Sequence, residues 1–140
     1  MMKRLIVLLA AALLGLSLCL SLAACGGGGD SPEGVTEKAM EVMASMDVDS
    51  LGDYVCDQVK EQAAAGMAMA KAMMEAQKMT MDLSDMKYEK TSEEGDKATV
   101  HVTGTVTIKM AEGEDQTDAI DENVQVIKVD GQWKVCEGFM

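Results

Sequence analysis

The feature that most constrains this chain is a change, at about Met81, in the spacing of its apolar residues. Before that point Val35, Ala39, Val42, Met43 and Met46 recur at the intervals that line one face of a helix. After it Val100, Val102, Val106 and Ile108 alternate with Thr99, His101, Thr103, Thr105 and Thr107, the period-two pattern of a half-buried strand. Helices that all precede the strands do not form β-α-β units. The fold class is therefore α+β, with N-terminal helices packed on a curved antiparallel sheet of about four strands.

The boundaries follow from local chemistry. Ser31 is a helix cap, Pro32 is pre-set for the first helical position, and Glu33 complements the positive end of the dipole, so a helix of about four turns starts here. Asp47-Val48-Asp49-Ser50 interrupts it. Ser50 with Asp53 has the form of a capping box and opens a second helical stretch to about Met79, with Gly52 as a candidate break. Met86 and Tyr88 mark a first strand, Glu93-Glu94-Gly95-Asp96 a turn, Lys97 to Met110 a long strand, and Ala119 to Val129 a third. Asp130-Gly131 accepts the two positive φ angles of a type I′ turn. It sets Val129 opposite Gln132, Lys128 opposite Trp133 and Val126 opposite Val135.

The methionines admit two readings. Thioether sulfur is the ligand type that selects Cu(I), which makes the set Met67, Met69, Met73, Met74, Met79 and Met81 a candidate copper site. On a helical wheel, however, Met67, Met69, Met73 and Met74 share half the circumference with Ala63, Gly66 and Ala70, where a core face belongs. Only Met79 and Met81 fall off that stripe, so these two are the soft-metal candidates.

Ahead of all this, Lys3 and Arg4 precede an uncharged apolar run from Leu5 to Ala24 that ends in Leu22-Ala23-Ala24-Cys25. That order resembles the lipobox of bacterial lipoproteins, and the resemblance implies cleavage between Ala24 and Cys25, acylation of Cys25 by a palmitate-type chain, and a protein held on the extracytoplasmic side of the cell membrane. The implied organisation is a signal peptide helix over 1–24, a lipidated cysteine and glycine-rich linker over 25–30, and an α+β domain over 31–140. The competing reading is an uncleaved anchor, since about 20 apolar residues is the length that spans a bilayer.

Removing Lys3 and Arg4 takes the formal charge from −12 to −14 and leaves no arginine. Nucleic-acid binding is excluded, because phosphate contacts need clustered cations. The expected partners are the membrane through the lipid, and a small ligand or another envelope protein.

The helices-then-meander order, the Ser-Pro-Glu start and the closing Val129-Asp130-Gly131-Gln132-Trp133-Lys134-Val135 resemble nuclear transport factor 2-like domains, also called cystatin-like, and in particular lipoproteins of unknown function that carry one. The resemblance implies a half-cone fold. Isomerase-like members of that group join an acid and phenols in an apolar pocket. With Tyr54, Tyr88, Trp133 and Phe139 as its only aromatics, this chain is short of such material. The expected function is a non-catalytic ligand- or protein-binding module with no cofactor. A copper-binding lipoprotein and an isomerase-like enzyme are the alternatives.

If Cys25 carries lipid and Cys19 leaves with the signal, Cys56 and Cys136 remain as a pair in an oxidising compartment. They form either a bridge or two buried thiols. Cys56 lies on the core side of the expected helix, whereas the hairpin register turns Cys136 away from the Trp133 face unless a bulge intervenes. His101, the only histidine, reads as a solvated or hydrogen-bonded sheet residue, and the acidic turns lack the ligand spacing of a calcium loop.

Overall fold

The computed structural model describes residues 30–138. The signal segment, the cleavage site at Ala24 and Cys25, and all of the linker but Asp30 lie outside the described residues. Helix α1 spans Pro32–Ala44, with Ser31 extended and its Oγ accepting from the Gly34 amide at 3.0 Å. Its inward residues Val35 and Ala39 are fully buried, and Thr36, the one buried polar side chain among the described residues, donates to the Pro32 carbonyl at 2.7 Å.

The second helical stretch divides at Gly52, the candidate break. A single turn, α2, runs Val48–Leu51, and α3 runs Asp57–Gln77. The cap of α2 is Asp47, which accepts from both the amide and the hydroxyl of Ser50, so Ser50 is not the cap that its spacing to Asp53 suggested. Between the two helices the chain extends and pairs with the last strand. The Val135 amide donates to Tyr54 O and the Cys56 amide to Val135 O, at 2.9 and 2.8 Å. A backbone that donates sideways to a sheet edge cannot also close helical turns, which is why α3 begins only at Asp57.

Five strands make a sheet four strands wide. They are β1 (Thr80–Asp82), β2 (Lys87–Glu94), β3 (Lys97–Lys109), β4 (Gln116–Val129) and β5 (Gln132–Glu137), all antiparallel. β1, which the sequence reading missed, and β2 share one edge of β3, with Asp82 opposite Thr107 and Lys87 opposite Thr103. The chain steps between them over Gly104 of β3. A Cβ there would collide with the Asp85 carbonyl oxygen, and φ is +135°, so only glycine fits. Lys109 donates to Asp82 at 2.6 Å, tying β1 to β3 and holding the Asp82 carboxyl well below the usual carboxylate range.

The β4–β5 hairpin has the register that Asp-Gly implied, with Val129 opposite Gln132, Lys128 opposite Trp133, and Asp130 and Gly131 both at positive φ. The core is the inward face of this sheet, Val100, Val102, Val124, Val126, Trp133 and Val135, closed by α1 and by Leu51 and Val55. The architecture is α+β, with helices on a curved antiparallel half-barrel.

Candidate functional site: a methionine-lined hollow

Helices α1 and α3 end in the same way. At the end of α1 the Met46 amide donates to Met43 O and the Asp47 amide to Val42 O; at the end of α3 the Lys78 amide donates to Glu75 O and the Met79 amide to Met74 O. Each is a Schellman closure, in which the residue after the cap adopts the left-handed conformation that glycine takes at least cost. Here Met46 and Lys78 occupy those positions, at φ +56° and +50°.

Helix α3 lies close to α2 and β5, and between its far half and the end of α1 lie two adjoining spaces. The inner hollow, about 320 Å³, is walled by Met40, Met43, Met46, Met67, Val102 and Ile120. The outer groove, about 620 Å³, is walled by Met46, Met74, Met79, Met81 and Leu83, with Glu41, Lys71, Glu75 and Lys78 at its rim. Met46, Met81 and Leu83 line both spaces.

The methionines of α3 depart from the wheel. Met67 is buried and Met74 half-buried, but Met69 and Met73 are 73% and 53% exposed. The inward row is Ala63, Met67, Ala70 and Met74, narrower than half a circumference. Met79 and Met81, which fall off the helical stripe, reach the groove from the α3–β1 link and from β1 itself. Sequence reasoning took Met46 for an ordinary core residue. The available signal was a helix stop without a glycine.

Glu122 is the one carboxylate on the hollow wall. Among the described residues neither Tyr54 nor Tyr88 has a hydrogen-bonded carboxylate, and no group of three or more His, Cys, Asp or Glu is placed to hold a metal. Tyr88 is half-buried beneath α1; burial first, then the charges of Glu37 and Glu41, pushes its phenol up to about 12.

The structure joins Cys56 to Cys136, with Cα atoms 5.0 Å apart. Cys56 is not on the core side of a helix, as the sequence suggested. It is the extended residue before α3, beside the β5 edge. Cys136 is the extra residue of a bulge, since Val135 faces Val126 while Glu137 faces Gln125. His101 sits on the threonine side of β3, with Nε2 2.6 Å from Asp121 Oδ1.

The family model described as Domain of unknown function (DUF4878) matches residues 23–136. No curated protein matches the chain. Among solved structures, the chain is similar to a SEC-C motif containing protein from Rhodopseudomonas palustris, with TM-score 0.54, 22% identity, and coverage of 78% of this chain and 77% of that one. Two others are a protein from Campylobacter jejuni described as an NTF2-like transpeptidase (TM-score 0.47, 19% identity, 76% and 98% covered) and the intermembrane space region of chloroplast protein ARC6 (0.49, 14%, 76% and 90%). The first likeness carries the fold alone.

Proposed function

The chain belongs to the DUF4878 family of unknown function, and we propose that it is a lipid-anchored, extracytoplasmic, non-catalytic module that holds an apolar small molecule in its inner hollow. The observation that carries this reading is the wall of that hollow. Thioethers and aliphatic groups surround a space the size of a small-ligand site, with a single carboxylate and no second titratable group facing it. General acid–base chemistry needs groups whose environments set their proton affinities apart, and one carboxylate on a methionine wall offers no such pair. Methionine suits a binding role because its unbranched, polarizable side chain repacks around ligands of different shape.

The lipid anchor rests on the Leu22-Ala23-Ala24-Cys25 sequence, with Ala24 and Cys25 flanking the cleaved bond. Labelling the producing cells with a radioactive fatty acid tests it: the chain takes up label and the Cys25→Ser variant does not. Native mass spectrometry of the full-length protein, taken in detergent from its own host, tests the hollow. An apolar adduct in the wild type that is lost in the Met67→Trp variant, which fills the space, supports the reading. A bare mass in both, with no displacement of a fluorescent apolar probe, overturns it.

A further inference from the structure

We propose that the outer groove binds a single Cu(I) ion through the thioethers of Met46, Met74, Met79 and Met81. These four methionines come from four separate segments: the turn after α1, the inward row of α3, the α3–β1 link and β1. Convergence of distant segments on one groove is what a site requires and what helical amphipathicity alone does not produce. Neutral thioether is the donor that suits Cu(I), whereas zinc and Cu(II) need imidazole, thiolate or carboxylate, and the described residues bring no three such groups together.

Two further observations favour a cation here. The groove lies at the C-terminal ends of both α1 and α3, where the helix dipoles place partial negative charge, and Glu41 and Glu75 stand at its rim. Lys71 and Lys78 line the same rim, so the field alone would not hold an ion and the sulfurs must supply the affinity. Met46 is also an outlier. It holds a left-handed backbone in a position where glycine closes the helix at less cost, and that backbone keeps its side chain on the wall shared by groove and hollow. This inference does not rest on the apolar-ligand reading: it concerns a different ligand, and although Met46 and Met81 border both spaces, Met74 and Met79 line only the groove and Met67 only the hollow.

The test is an anaerobic titration of the full-length protein, in detergent, with the Cu(I) complex of bicinchoninate. The wild type should withdraw one equivalent of copper. The Met46→Leu variant and the Met79→Leu/Met81→Leu double variant should each bind at least about tenfold more weakly, since leucine keeps the volume and removes the donor. A Met69→Leu/Met73→Leu control, altered only on the exposed face of α3, should match the wild type. X-ray absorption of copper bound to selenomethionine-labelled wild type supplies a readout that does not depend on any variant folding, and copper–selenium scattering is expected. No withdrawal of copper, binding unchanged in the two groove variants, or a copper shell without selenium each overturns the proposal.

Discussion

The two sides of this domain are built to different standards. Where α1, α2 and the segment before α3 meet the sheet, Val35, Leu51, Val55, Val100, Val126 and Val135 are completely buried, and the valines are β-branched and stiff. Where the far half of α3 faces the end of α1, Met67 is the only buried residue that the long helix contributes, and unbranched methionines border open space. A core of branched residues defines one arrangement, whereas a methionine wall tolerates several. One side supplies stability and the other supplies room.

The first way to break this comparison is Trp133→Ala. Trp133 is buried on the packed side with the Lys128 ammonium 4.9 Å from its ring centre, and its loss should cost about 3–5 kcal/mol in denaturant unfolding, against a far smaller loss for any single groove methionine. Next is the Cys56–Cys136 pair. A link closing 80 residues stabilises by about 4 kcal/mol in the chain-entropy picture, so melting with and without reductant should differ widely. Without reductant, neither Cys56 nor Cys136 should take up an alkylating reagent in denaturant, and labelling of both would remove the staple from the packed side.

Within α3 the contrast sharpens to single residues. Met67→Ala should cost about 2–3 kcal/mol, whereas Met69→Ala and Met73→Ala should each stay within about 0.5 kcal/mol, because the latter two face solvent. Equal effects would mean that the helix is turned otherwise. Smaller still, Lys78→Gly should stabilise by about 0.5–1 kcal/mol, since it relieves a left-handed backbone on an exposed residue.

The last prediction is a slope with pH. Tyr88 keeps its proton longer when folded than when unfolded, so between its ordinary value of 10.0 and about 12 the unfolded chain binds fewer protons than the native one. Its contribution is fully present below that range and is lost as pH rises through it. Thermal melts should fall more steeply there for wild type than for Tyr88→Phe, and the late part of the phenolate absorbance change should be lost in that variant.

Much of the sheet was legible because its signals are local. Alternation in β3 and the Asp130-Gly131 turn fix which residues face inward and which stand opposite one another, whatever the rest of the chain does. The same holds for α1, whose cap, proline and apolar row lie within one segment. β1 was missed because three residues are too few to show a period.

The sequence by itself determined the α+β class, the faces of β3 and β5 and the extent of α1, because backbone geometry forces periods of 3.6 and 2 on any chain that buries one side. Only the tertiary structure decided that Tyr54 to Cys56 lies along β5, that a bulge releases Cys136 toward Cys56, and that Met67 and Met74 of α3 border open space while Met69 and Met73 face solvent. These depend on contacts between residues up to 82 positions apart, such as Lys134 Nζ donating to Gly52 O, and no local period encodes where two distant segments meet.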